Sequence, residues 1–169
     1  MFCNSWWGDD FEGDDPFNEN NERNFDNTDM ELYNCAGFAL NTYSWYIPCN
    51  YEEGDYSVFD FDPDDRYFNT VTLNVLTFEY VSRILNDFGS EIRLIHTLEE
   101  VEKDEYAIAF RLGNDDFHFF KQIDENKWAE KRGAEPVIRY LNTASVFEDD
   151  WCNGRYYGPI ILMAKKRSE

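Results

Sequence analysis

Cys35 lies where a short helix is predicted to begin, and it is the first residue of this 169-residue chain whose position suggests chemistry. Asn34 is a suitable N-cap, residues 38–40 are apolar, and Pro48 ends the helical pattern. The positive end of a helix lowers the pKa of a thiol and so favours the thiolate, the form that attacks a carbonyl carbon. The alternative is a structural cysteine in the core, because cysteine is among the most buried residue types.

His118 is the second residue that suggests chemistry. It lies in a strand predicted over residues 117–123, in which alternation places it on the same face as Phe120 and Gln122. Glu130 lies on the next predicted strand and reaches the imidazole diagonally in one register, whereas a slip of one residue turns it to the opposite face. The intervening turn leaves the register open. A histidine whose hydrogen bonds are satisfied within the core is the alternative.

Metal and cofactor chemistry finds little support in the residue types. The four cysteines lie far apart without a Cys-x-x-Cys spacing, and the other histidine, His96, falls at the end of a predicted strand. We therefore expect no metal site and no cofactor. The N-terminus has no pattern of an export signal, so we expect a cytoplasmic protein with free thiols.

The elements that must position these residues follow an order of helices first and strands second. Apolar residues at helical spacing predict a helix over residues 72–88, and Gly89 is its C-terminal stop. Strands are predicted over residues 91–96, 106–112, 117–123, 127–131 and 157–164. Turn residues favour an antiparallel meander over 106–131. The sequence thus predicts one α+β domain, with N-terminal helices packed on an antiparallel sheet.

Composition excludes several classes of function. Hydrophobic residues make up 43% and aromatic residues 18% of the chain, far more than a disordered chain carries. No apolar stretch approaches the length of a membrane span. The net charge of −20 at pH 7 opposes direct binding to phosphate backbones, which depends on Lys and Arg contacts.

The negative charge is concentrated in the N-terminal part of the chain. Residues 1–70 contain 17 acidic and 2 basic residues, a net charge of −15. The segment 1–28 also contains aromatic residues, which a purely solvating tail does not need. Such a segment is either a solvated surface or an anionic surface that imitates nucleic acid and docks on a basic protein.

The segments around the cysteine and the histidine resemble known proteins. Residues 34–39, Asn-Cys-Ala-Gly-Phe-Ala, are similar to the Asp-Cys-Ser-Gly-Phe-Val nucleophile motif of NlpC-type papain-fold cysteine hydrolases. Residues 34–41 and 116–133 are also similar to segments of uncharacterised bacterial and phage proteins, which carry Asn-Cys-x-x-(Phe/Tyr)-Ala-Leu and (Phe/Tyr)-His-(Phe/Trp)-(Tyr/Phe)-(Arg/Lys).

The resemblance implies a papain-like fold and a role for each of four residues. Cys35 is then the nucleophile, and His118 acts first as general base and later as general acid. Glu130 is the residue that orients the imidazole, with Gln122 as the second choice for that role. A set of this kind cleaves an amide or a thioester through an acyl-enzyme without a metal.

Two hypotheses about function remain. The first is a cysteine hydrolase, either an amidase or peptidase or an acyltransferase, which acts on an amide-containing substrate and uses Tyr33 and Trp128 to line the substrate site. The second is an acidic, phage-associated inhibitor that mimics nucleic-acid charge and blocks the basic groove of a protein partner. Neither hypothesis involves a membrane or direct contact with nucleic acid.

Overall fold

A computed structural model of the chain describes residues 33–48, 66–113, 116–132 and 138–167. The acidic segment 1–28 of the sequence analysis lies outside these ranges. Helix α1 spans Cys35–Ala39, α2 spans Arg66–Phe88 and α3 spans Thr143–Val146. The strands are β1 (Ile92–Ile95), β2 (Glu105–Leu112), β3 (Phe117–Asp124), β4 (Lys127–Lys131), β5 (Ile138–Leu141) and β6 (Ile161–Lys166).

The six strands form one antiparallel sheet in the order β1-β6-β2-β3-β4-β5. Strands β2 to β5 follow one another as a meander, and β6 lies between β1 and β2. The α+β class and the antiparallel sheet are therefore confirmed. Strand β5 and helix α3 were not predicted, because each has only four residues, too few for a periodic pattern to be recognised.

Helix α1 has five residues and is shorter than predicted. The backbone turns back after it through left-handed conformations at Asn41 (φ 58°) and Tyr43 (φ 50°). The returning chain crosses the helix at Gly37, where an added Cβ would lie 1.9 Å from the carbonyl oxygen of Ser44. Glycine is required at this position of the motif because only a residue without a side chain permits that approach.

Helix α2 begins six residues before the predicted start, because no Gly or Pro interrupts residues 64–88. Its end at Phe88 agrees with the prediction, and Gly89 adopts the left-handed conformation (φ 56°) that is typical after a helix. Among the helices of the described ranges, none is long and apolar enough to cross a membrane.

Alternation along β3 divides its side chains between two clusters of buried residues. Phe117 and Phe119 belong to a cluster that also contains buried residues of α1, α2 and β2. Phe120 belongs to a second cluster, which includes Trp128, Trp151, Cys152 and Tyr156. The sheet is therefore covered on both sides of β3, the strand that carries the histidine.

Lys121 is a buried cation on β3 that the sequence analysis did not single out. Its Nζ donates to Asn41 Oδ1 at 2.7 Å and lies 4.0 Å from the centre of the Phe38 ring. Burial is the main reason that the pKa of Lys121 is lowered to about 7, and the nearby Lys165 ammonium contributes. The side chain of Lys121 thus ties the turn after α1 to the strand beside it.

Candidate functional site

Asn34 fixes the start of α1 with three hydrogen bonds. Its Oδ1 accepts from the backbone N–H groups of Gly37 (3.0 Å) and Tyr46 (3.2 Å), and its Nδ2 donates to the Tyr46 carbonyl (2.7 Å). The same side chain therefore caps the helix and holds the returning chain against it. Cys35 is the first residue of α1, as the sequence predicts.

The sulfur of Cys35 lies beside the strand that carries His118. The backbone N–H of Phe119 is near enough to lower the pKa of the Cys35 thiol, so the sulfur lies near the peptide group that joins His118 to Phe119. The thiol is free and only 4% exposed. The contact between α1 and β3 thus brings the sulfur to the backbone of the strand that carries His118, while the imidazole itself packs with Phe120 and Tyr156.

Burial raises the pKa of the Cys35 thiol well above its ordinary value. The carboxylates of Asp116 and Glu130 raise this pKa further, whereas the Phe119 N–H and the Lys131 ammonium oppose them. A helix of five residues exerts only a small field, and its effect does not outweigh the loss of water around the sulfur. The thiol is therefore protonated in this structure, and a base must take its proton before it can act as a nucleophile.

His118 and Glu130 form a buried hydrogen bond between Nε2 and Oε1. The pairing of Lys121 with Ala129 sets the register of β3 and β4 and places the two side chains diagonally on one face, which settles the alternative that the sequence left open. A carboxylate only accepts hydrogen bonds, so Nε2 carries the proton of the neutral imidazole and Nδ1 is its basic nitrogen. The pair is 3% and 0% exposed.

Arg132 completes the polar group around Glu130, and the sequence analysis did not identify it. Its Nε lies 3.5 Å from Glu130 Oε2, while Glu130 Oε1 faces the histidine. A residue two positions beyond Glu130 lies on the same face of an extended strand, and this alternation is the signal that could have found it.

Three aromatic rings surround the imidazole of His118. The Tyr156 ring is stacked on it, with 5.3 Å between centroids and 21° between planes. Phe120 meets it edge-on at 5.4 Å, and Trp151 lies edge-on at 6.4 Å. The histidine is therefore held in an apolar environment in which its polar partner is Glu130.

The other three residues of the predicted site, Gln122, Tyr33 and Trp128, have partners other than the imidazole. Gln122 is near the turn after β3, where its Nε2 donates to the Glu125 carbonyl at 3.3 Å, so the structure gives the orienting contact to Glu130 and not to Gln122. Tyr33 and Trp128 are both fully buried. Neither of them offers an open surface to a substrate in this structure.

The described residues include no group of three or more His, Cys, Asp or Glu side chains that could hold a metal ion. Cys152 is disulfide-bonded, which corrects the expectation of free thiols at this position. His96 follows β1 and is exposed, and its backbone N–H donates to Glu100 Oε2 at 2.6 Å. It takes no part in the group around His118.

Comparison with known proteins gives no match to this chain among family models, curated protein sequences or solved structures.

Proposed function

We propose that the chain is a cysteine hydrolase or acyltransferase with a papain-like, NlpC-like site, in which α1 packs on the sheet and presents Cys35 to His118. One observation supports the proposal above all others. A buried carboxylate, Glu130, hydrogen-bonds the imidazole of a histidine whose own peptide group lies near the thiol of a free cysteine. In the proposed site the sulfur also reaches the imidazole, which completes the nucleophile, base and orienting group that acyl transfer requires.

The reaction follows from the protonation states of the site. His118 Nδ1 takes the thiol proton as Cys35 Sγ attacks the carbonyl carbon of an amide, and the backbone N–H of Cys35 helps to stabilise the oxyanion. The carbon–nitrogen bond breaks, the leaving amine takes the proton from His118, and a thioester remains. Attack by water, or by another acceptor in a transferase, with His118 again as base, releases the acyl group and restores the thiol.

The burial of Cys35 gives Glu130 a defined part in this scheme. Because the pKa of the thiol is raised, a thiolate does not persist without a base beside it. The imidazolium that forms when His118 takes the proton is stabilised by the carboxylate of Glu130. His118 and Glu130 together therefore make the transfer of the proton from the buried Cys35 thiol more favourable.

The first test is the rate at which iodoacetamide labels Cys35, measured by peptide mass spectrometry between pH 5 and 9. At pH 7 we expect His118→Ala to react about tenfold or more slowly than the unaltered chain, because it has lost the base. His96→Ala is the matched control and should react like the unaltered chain, and Cys35→Ser identifies the labelled peptide. Equal rates for the chain with and without His118 would contradict the proposal.

An acidic binding protein is the second candidate function, and the net charge of −15 over residues 1–70 supports it. Such a protein would occupy the basic groove of a partner through long-range charge attraction. Neutralising Asp9, Asp10, Asp14 and Asp15 to Asn should then slow association with a basic partner, and raising the salt concentration should slow it as well. Association that is insensitive to both changes would count against this candidate.

A further inference from the structure

We propose that Tyr156 is a positioning residue for His118, whose stacked ring sets the plane of the imidazole. The inference rests on the proposed function, since it assigns a task to Tyr156 only if His118 acts as the base. Tyr156 lies in the segment that precedes β6, 38 positions beyond the histidine in sequence, and no motif in the sequence connects the two residues.

The hydrogen bond to Glu130 alone does not fix the imidazole. Rotation about χ2 of a histidine is intrinsically broad, so a single hydrogen bond at Nε2 leaves the plane of the imidazole some freedom. A ring stacked on the imidazole constrains the same rotation directly. With 21° between the planes of Tyr156 and His118, the stack holds the plane of the imidazole, and the hydrogen bond from Nε2 to Glu130 selects the direction in that plane in which Nδ1 points.

The Tyr156 side chain is itself held at its polar end. Its hydroxyl donates to Asp116 Oδ2 at 3.2 Å, and Arg155 Nη2 lies 3.3 Å from the same oxygen. Asp116 in turn accepts from the backbone N–H of Phe117 through Oδ1 at 2.8 Å. The contact with the carboxylate at the start of β3 therefore adds to the backbone contacts that place the ring.

The backbone around Tyr156 is fixed by two strand-like contacts. The backbone N–H of Trp151 donates to the Tyr156 carbonyl at 2.8 Å, and the Tyr156 N–H donates to the Trp151 carbonyl at 3.1 Å. Tyr156 also forms a β-bridge with Gly113, the residue after β2. An added Cβ at Gly113 would lie 2.0 Å from the carbonyl oxygen of Arg155. Glycine at this position thus allows the segment to approach the sheet closely enough for Tyr156 to reach the imidazole.

Two substitutions separate the ring from the hydroxyl. Tyr156→Phe keeps the ring and removes the hydrogen bond to Asp116, whereas Tyr156→Leu keeps a smaller apolar side chain and removes the stack. We expect Tyr156→Leu to lower the rate of Cys35 alkylation at pH 7 about tenfold, because a misdirected base transfers protons poorly. We expect Tyr156→Phe to stay within about twofold of the unaltered chain.

Proton and nitrogen NMR of the two histidines gives a second readout on the intact chain. A ring stacked on His118 shields its carbon-bound protons, so Tyr156→Leu should shift these signals downfield while Tyr156→Phe leaves them shielded. The signals of His96, which lies outside the aromatic group, are the internal reference. Because loss of the ring by itself removes the shielding, these signals test whether the stack exists, and the alkylation rates of the two variants test whether it positions the base.

The outcomes distinguish this inference from the proposed function. If His118→Ala slows alkylation and Tyr156→Leu does not, Tyr156 has no positioning role although the Cys–His pair stands. If His118→Ala leaves the rate unchanged, the proposed function fails, and the role of Tyr156 fails with it. Slower alkylation in both Tyr156→Leu and His118→Ala, with near-normal rates in Tyr156→Phe, is the result that supports the inference.

Discussion

Glu130→Gln is expected to slow the reaction of Cys35 by about 100-fold or more at neutral pH, with the fold retained. The amide that replaces the carboxylate can donate to His118 Nε2, which favours the tautomer with the proton on Nδ1 and leaves no base for the thiol. In a serine protease triad the corresponding change from acid to amide costs about 10⁴-fold in rate, which gives the scale of the effect. The imidazolium formed on proton transfer also loses its counter-charge.

Simple electrostatics predicts the opposite sign, which makes Glu130→Gln a sharp test. The carboxylates of Asp116 and Glu130 both raise the pKa of Cys35, so the removal of either charge lowers that pKa and increases the fraction of thiolate. If Glu130 were only a charge near the sulfur, Glu130→Gln would accelerate alkylation. If it orients the base, the reaction slows in spite of the lower thiol pKa.

Asp116→Asn is the matched control for this comparison. It removes one negative charge that acts on Cys35, as Glu130→Gln does, but Asp116 makes no hydrogen bond to His118. We expect Asp116→Asn to leave the rate of Cys35 alkylation unchanged or to raise it. The measurement is the pH profile of alkylation for the two variants, with thermal melting as the check that each is folded. Faster labelling in both would remove Glu130 from the proposed mechanism.

The sequence predicts the elements of this fold well where the pattern is local. The bounds of β4 agree with the predicted strand, and the end of α2 agrees because Gly89 terminates the helix in the manner its residue type favours. The start of α2 was wrong because apolar spacing marks the buried face of a helix and not its first turn. Strand β5 was missed because its four residues are too few for a recognisable pattern, although its partner β4 directly precedes it in the chain.

The site could be predicted only in part, for a similar reason. Cys35 and His118 lie in recognisable segments, and the contact with Glu130 depended on one register of the β3–β4 hairpin that the turn residues did not determine. Arg111 and Tyr156 were not identified at all. Their positions beside the histidine follow from the pairing of β2 with β3 and from the return of the chain before β6, neither of which leaves a local signal.

Arg111→Met is expected to cause the largest loss of stability among single changes near the site. Arg111 lies directly across from His118 in the β2–β3 pair, and its buried guanidinium donates to the backbone carbonyls of Gly158, Glu148 and Asp149. It also lies 5.5 Å from the centre of the Trp151 ring. The Arg111 side chain thus holds the segment between α3 and β6 against the sheet. A lysine does not reproduce this arrangement, because it lacks the planar set of N–H donors of a guanidinium.

Loss of the guanidinium leaves three carbonyl groups without this donor, and each costs about 1–3 kcal/mol where water does not reach it. Because two of the contacts are only partly buried, we expect a fall of about 3 kcal/mol in the free energy of unfolding, measured by urea denaturation. Arg83→Met is the matched control. Arg83 is exposed, and within the described ranges its ion pair is with Asp87 on the same helix face, so its loss should cost less than about 1 kcal/mol. Similar losses in the two variants would show that Arg111 does not hold this segment in place. A large loss confined to Arg111→Met, with weaker shielding of the His118 ring protons, would show that the Arg111 guanidinium also holds the Trp151 and Tyr156 rings beside the histidine.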